Sequence, residues 1–215
     1  MSTEYLQESE VNFLKISELF EEGKIIAFPT ETVYGLGCSV SCEDAIKRLR
    51  QIKKREEKKP FPILLPKIED VYKVAEDIPD IFFKIADFFF PGPLTVILKK
   101  KKGISSLISL TDTIGVRISA HPFFLKIANF LKEPIIGTSA NISNCSNNIN
   151  GQEVLKTFNN QIDVVIEGGR SPLGIPSTVI SLVERSNLAK DESGCKGAKI
   201  LRDGFIQKAQ LENFL

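Results

Sequence analysis

One short stretch constrains this chain more than any other. An apolar run, Ile25-Ile26-Ala27-Phe28, passes straight into Pro29-Thr30-Glu31-Thr32-Val33-Tyr34-Gly35-Leu36-Gly37. The run reads as a buried strand, and Pro29 ends its ladder because proline has no backbone donor. The turn that follows sets two threonines, a glutamate and a tyrosine against two glycines. Such a segment suits a core badly and suits a small polar ligand well. Polar loops mounted on the end of a rigid strand are where binding chemistry concentrates. A decorated surface turn is the plainer reading, and this segment alone leaves both open.

At 215 residues and 42% hydrophobic, the chain can bury a core as a single domain, read here as 1–215 with residues 1–10 flexible. Aliphatics and fifteen phenylalanines supply that core. Twenty-eight basic and 27 acidic side chains nearly cancel, so net charge does not point to a nucleic-acid binder. Cys38, Cys42, Cys145 and Cys195 lack the paired close spacing of a structural zinc site, and read as buried reduced thiols of a reducing cytosol. The acidic N-terminus carries no long apolar run. The expectation is a cytoplasmic protein with no signal peptide and no membrane span.

Val11 to Phe20 has apolar residues at helical spacing, with Gly23 placed to stop it. Ser41 is the expected cap of the next helix, Glu43 and Asp44 favour its positive end, and Ala45, Ile46, Leu49 and Ile52 form its buried face. Strands are expected at Pro62 to Leu65, Thr95 to Leu98, Gly115 to Ile118, Ile135 to Thr138, Val164 to Ile166, Thr178 to Leu182 and Ile200-Leu201. Helices are expected at Ile81 to Phe90, Phe123 to Leu131 and Gln207 to Phe214. Asn141 to Gly151 reads as a loop by composition, and Glu184 to Gly197 as a surface excursion. The alternation argues an α/β domain around a twisted sheet, with parallel and antiparallel pairings mixed.

Polar segments stand at several strand ends: the turn after Phe28, the basic stretch Lys53 to Lys59, Thr138-Ser139-Ala140-Asn141 and Pro176-Ser177-Thr178. In an open α/β sheet such loops converge on one crevice. Hydroxyls, an amide and cations together would suit a phosphate-bearing ligand and a carboxylate-bearing one. With His121 as the only histidine, a histidine triad or two-histidine metal site has little to draw on. Neither a Walker-A loop nor a dinucleotide glycine fingerprint is present. Alone, Lys53 to Lys59 reads as a solvated helix end and Lys99 to Lys102 as a solvated strand exit. Arg117, flanked by Val116 and Ile118, needs a partner because an unpaired buried charge is costly. A ligand is favoured over a protein carboxylate.

Seven segments together resemble the YrdC-like family of threonylcarbamoyl-AMP synthases. They are FPTETVYGLG from Phe28, Lys53-x-Arg55 with Pro60, PGPLTVIL from Pro91, VRISAHP from Val116, TSANIS from Thr138, PSTVI from Pro176 and LRDG from Leu201. They occur in family order across nearly the whole chain. The resemblance implies a twisted open mixed α/β sheet with flanking helices, enclosing a large electropositive cavity. The length is similar to that of the short, single-domain members.

The resemblance also implies an activity: L-threonine, bicarbonate (or carbon dioxide) and ATP give L-threonylcarbamoyladenylate and pyrophosphate. That product serves threonylcarbamoyladenosine modification of tRNA through a downstream threonylcarbamoyl transferase machinery. By position, Thr30, Arg117, the backbone of Gly137 and Ser177 would hold threonine, with Arg117 clamping its carboxylate in bidentate fashion. Lys53 and Arg55 would be the catalytic cations. Together with Lys59, Thr113, Ser139, Asn141, Asn147 and Arg202 they would hold ATP. Magnesium would arrive with ATP, without a dedicated protein metal site or a tightly bound organic cofactor. Leu64 stands where some relatives place a histidine near threonine, and Asn144 and Glu56 replace a frequent glycine and proline. The alternatives are an RNA-binding module of the same fold, acting on RNA structure without catalysis, and a paralogue with related carbamoyl or nucleotide chemistry; weak RNA binding is a further partner expectation.

Overall fold

The structure is a computed structural model that describes residues 2–183 and 199–212. In chain order its elements are β1 (Glu4–Gln7), α1 (Phe13–Glu21), β2 (Ile26–Phe28), β3 (Gly35–Gly37), α2 (Glu43–Ile52), β4 (Ile63–Leu64), α3 (Val71–Val74) and α4 (Asp80–Phe89). Then come β5 (Leu94–Lys99), β6 (Thr113–Arg117), α5 (Pro122–Ile127), β7 (Ile135–Ile136), β8 (Thr138–Ser139), α6 (Gly151–Phe158), β9 (Val164–Glu167), β10 (Thr178–Ser181), β11 (Lys199–Arg202) and α7 (Lys208–Glu212).

The mixed α/β class expected from the sequence holds, but the strands divide between two sheets. One runs β1-β9-β2-β3-β8 and the other β11-β10-β5-β6-β4-β7. The chain changes sheets within three residues: Ile135 and Ile136 pair with β4, whereas Thr138 and Ser139 pair with β3. Gly137 is the crossing point, so the single strand expected there is two short ones. Both pairings at this junction, β3–β8 and β4–β7, are antiparallel.

Alternation along β5 sets the site. Leu94, Val96 and Leu98 are almost fully buried, whereas Thr95 and Ile97 point to the other face. Register carries this across the sheet, because Val96 lies beside Val116 and Ile97 beside Gly115. Val179 lies beside Thr95. One face of the six-stranded sheet therefore packs the core. The opposite face presents Thr95, Ile97, Gly115, Arg117 and Val179 to a cavity. Aromatics fill the core between layers: the Phe28 ring lies 6.2 Å from Phe20 edge-on and 6.2 Å from Phe123 in a stack.

Several local expectations need correction. Within the start read as flexible, residues 4–7 form a strand, β1, parallel to β9, with the Tyr5 hydroxyl donating to Glu167 at 2.6 Å. A short strand reads poorly from sequence when its partner lies about 160 residues away. Ser41 does not cap α2. Cys42 stands at that position without a side-chain bond, and the Ser41 hydroxyl donates to Glu133 instead. Helix α6 follows directly on the Asn-rich loop and was unforeseen. Its capping signature is nonetheless visible: Asn150 accepts from the Glu153 N–H at 2.8 Å, and Glu153 accepts from the Ile149 N–H at 2.8 Å. Among the thiols, Cys38 is buried, Cys42 half-buried and Cys145 exposed. Cys195 and the excursion read at Glu184 to Gly197 lie outside the described residues. No helix among the described residues is long and apolar enough to cross a membrane.

Candidate active site

The cavity encloses about 290 Å³, near the lower end of small-molecule sites. Four cations line it, Arg55, Lys59, Arg117 and Arg202, and no carboxylate does among the described residues. Val33, Phe61, Leu64, Ile97 and Val179 supply apolar wall. Ser139, Asn147, Thr32 and Ser177 supply polar groups.

At one end, Arg117 closes β6. Its Nε donates to the Gly92 carbonyl at 3.1 Å, and Nη2 donates to Glu31 Oε1 at 2.7 Å and to Thr32 Oγ1 at 3.0 Å. Of the two partners left open for this buried charge, the structure shows the protein carboxylate, whereas the sequence reading favoured a ligand. Burial opposes ionisation of Glu31, but Arg117 and the Ser119 hydroxyl outweigh it and hold the carboxyl below its usual range. Thr30 does not line the cavity. Its hydroxyl donates to the Val33 carbonyl at 2.5 Å and accepts from the Thr32 N–H at 3.3 Å, bonds that shape the turn so that Thr32 faces inward. Of the two threonines in this turn, Thr32 and not Thr30 lines the cavity.

Beside Arg117, Arg202 donates through Nε and Nη2 to the Ser177 carbonyl at 3.1 and 2.7 Å, and through Nη2 to Ser177 Oγ at 3.0 Å. Ser177 Oγ lies 2.8 Å from Thr95 Oγ1. Gly204 permits this arrangement. A Cβ there would lie 2.4 Å from the Thr178 nitrogen and 2.6 Å from the Pro176 oxygen, so the glycine of LRDG lets β11 close on Pro176-Ser177. Gly137 also lines the cavity, with Leu64 packed so close that a Cβ would lie 2.3 Å from its Cγ.

At the other end is the basic stretch. Arg55 Nε and Nη2 donate to the carbonyls of Lys59 at 3.2 Å and Pro60 at 2.7 Å, and its guanidinium lies 4.9 Å from the Phe61 ring centre. Arg50, unforeseen from the sequence, organises the same loop. It donates to the carbonyls of Glu56 at 2.7 Å and Leu107 at 2.7 Å, and lies 4.7 Å from the Phe61 ring centre. Burial, then Arg50 and Arg202, push the Arg55 guanidinium down to about 10. Burial and Arg117 push Arg202 down as well. Lys59 donates to Glu56 at 3.0 Å and Asn144 at 2.9 Å while lining the cavity. This stretch is thus a folded loop rather than a solvated helix end. Lys99 to Lys101 are pinned too: Lys99 pairs with Glu76 and Asp77, Lys100 donates to Ser109 and Lys101 to Tyr72.

Three expected nucleotide residues stand elsewhere. Lys53 is buried and donates to the carbonyls of Ser139 and Asn141 instead of facing the cavity. Asn141 lies behind Ser139, accepting from its hydroxyl at 2.6 Å and donating to the Cys145 carbonyl at 2.7 Å. Thr113 opens β6, about 13 Å along the strand from Arg117, and shares a bond with Thr111 at 2.9 Å. Arg55, Lys59, Ser139, Asn147 and Arg202 do reach the cavity, together with Arg117, Gly137 and Ser177. Arg117 and Lys59 each have a carboxylate partner off the cavity wall, whereas among the described residues Arg55 and Arg202 bond only carbonyls and a hydroxyl, so the wall keeps positive charge that suits an anion.

Known proteins are similar to this chain in sequence and fold. A threonylcarbamoyl-AMP synthase of Pyrococcus abyssi is 39% identical over 164 residues, covering 76% of this chain and 48% of that protein. The chain thus spans about half the length of that relative. A threonylcarbamoyl-AMP synthase of Psychromonas ingrahamii is 36% identical over 180 residues, covering 81% of this chain and 93% of that one. The crystal structure of P. abyssi Sua5 complexed with L-threonine superposes with a TM-score of 0.88 at 31% identity, covering 100% of this chain and 61% of that one. The family model of Sua5, YciO and YrdC, described as telomere recombination, matches residues 18–191. Two sheets meeting at Gly137, around a cavity walled by these arginines, are the site of a protein that belongs to the Sua5/YciO/YrdC family.

Proposed function

We propose that this protein is a threonylcarbamoyl-AMP synthase that joins L-threonine, bicarbonate and ATP into L-threonylcarbamoyladenylate, releasing pyrophosphate and water. The observation that carries the reading is the cavity lining: four cations and no carboxylate among the described residues, with Arg117 beside Thr32 at one end, Arg55 and Lys59 on the loop at the other, and Arg202 beside Ser177. An amino-acid carboxylate and a triphosphate are the two anions that such a division suits. The relatives named as synthases, and the Sua5 structure holding L-threonine, support it.

In this reading Arg117, Thr32, Ser177 and the Gly137 backbone hold threonine. Arg55, Lys59, Ser139, Asn147 and Arg202 hold ATP. The threonine nitrogen bonds to the bicarbonate carbon with loss of water, and a carbamate oxygen then attacks the α-phosphorus as pyrophosphate leaves. Arg202, bonded to Ser177 of the amino-acid end and lining the same cavity as Arg55 of the phosphate end, stands where the two reactants meet. The protein contributes position and charge neutralisation. Lys53 and Asn141 act from behind, by holding the loop that carries Ser139.

Hydroxyls and an amide without a carboxylate fit magnesium that is ligated by phosphate oxygens and water rather than by a protein cage. Magnesium on ATP supplies further neutralisation of the triphosphate. The adenylate is reactive, so a threonylcarbamoyl transferase acting on tRNA in the cytoplasm consumes it. Pyrophosphate release from ATP and bicarbonate, measured with each amino acid in turn, tests the reading. Threonine-dependent release is expected, and release indifferent to the amino acid contradicts it.

A further inference from the structure

A guanidinium has five N–H donors. On Arg117, the Nε donor goes to Gly92, and the two on Nη2 go to Glu31 and Thr32. The pair on Nη1 remains, without a protein acceptor among the described residues, on a side chain that lines the cavity. Glu31 is itself held, since its Oε2 accepts from the Ser119 hydroxyl, whose oxygen accepts from the His121 N–H at 3.3 Å. Both charged groups are 8% exposed, and Glu31 is not part of the cavity wall. Neutralising a buried charge needs only a nearby carboxylate. Here three acceptors on two nitrogens, Nε and Nη2, fix the plane of the guanidinium as well.

We propose that Glu31 is a positioning residue for recognition of the substrate carboxylate: by holding Nη2, it presents Arg117 to the cavity through Nη1 alone. The substrate carboxylate is then received end-on at one nitrogen. A two-nitrogen fork, the bidentate clamp expected from the sequence, is unavailable because Nε and Nη2 are engaged. This inference rests on the amino-acid reading of that end of the cavity.

Two variants and the native protein test it. Glu31→Ala removes the acceptor and raises KM for threonine by about tenfold or more, while KM for ATP stays within about twofold. Glu31→Gln keeps a neutral acceptor at the same reach and stays within about threefold of native KM for threonine. A folded Glu31→Ala protein with KM for threonine within about twofold of native overturns the proposal. So does equal impairment in both variants, which assigns Glu31 to charge balance alone. In native protein labelled at arginine side-chain nitrogens, nuclear magnetic resonance reads the same claim without any variant. Arg117 gives two separate Nη signals, and threonine shifts that of Nη1. Averaged Nη signals, or a threonine shift confined to Nη2, overturn it. A native protein that consumes no threonine contradicts the functional reading. One that consumes it with a freely rotating Arg117 contradicts only this inference.

Discussion

The ammonium of Lys53 donates to the carbonyl oxygen of Asn141 across 2.6 Å, from a side chain that is 1% exposed. The Ser139 carbonyl accepts from the same ammonium, and the Ser143 N–H returns a bond to the Lys53 carbonyl at 2.9 Å. Lys53 thus staples the Ser139 loop to the end of α2.

This staple is sensitive to pH. Burial, reinforced by Arg55, pushes the Lys53 ammonium from 10.5 down to about 7. Below about 7 it is charged in folded and unfolded chains alike, and the cost of burying the charge is fully present. Between about 7 and 10.5 the unfolded chain binds more protons, so stability rises with pH. Lys53→Met lacks this slope. Urea unfolding of both proteins checks it: between about pH 7 and pH 9 the native protein gains about 2 kcal/mol relative to the variant. Parallel pH profiles contradict the assignment.

Arg55 is expected to matter for the nucleotide more than for the fold. Charge-assisted bonds contribute roughly 1.5–3 kcal/mol, so Arg55→Gln lowers kcat/KM for ATP about ten- to hundredfold. Pyrophosphate raises the melting temperature of the native protein and raises that of the variant less. Equal thermal shifts with native kinetics would remove Arg55 from the phosphate end.

Gly204→Ala tests how the amino-acid end is built. The added carbon meets backbone atoms of Pro176 to Thr178, which cannot swing aside as a flexible side chain could. A loss of about 1–3 kcal/mol is expected, with a raised KM for threonine through displaced Ser177. An unchanged melting temperature would show that β11 closes less tightly on Ser177 than described.

How far the sequence could be read follows from where each signal resides. Helix α2 was legible because Ala45, Ile46 and Leu49 repeat at helical spacing with acids at its start. On β6, Arg117 was legible as a charge set among apolar neighbours, whereas nothing in the β5 sequence marked Thr95 and Ile97 as cavity wall. What stayed hidden depends on contacts between distant residues. Thr30 and Thr32 are chemically alike, and only the turn's bonds decide which one faces inward. The Lys53 and Arg55 pair look equivalent, yet two carbonyls from the Ser139 loop bury one of them. The Glu31 partner of Arg117 lies 86 residues away along the chain, and no periodicity reports such a pair.

The central claim is that this cavity builds a carbamate on threonine and couples it to AMP. Incubating the protein with ATP, magnesium, L-threonine and isotopically labelled bicarbonate, then analysing the products by mass spectrometry, measures that directly. A threonine- and AMP-containing adenylate that carries the bicarbonate label, formed in step with pyrophosphate, is the expected product. Pyrophosphate release with no label in any threonine-containing product would contradict that claim.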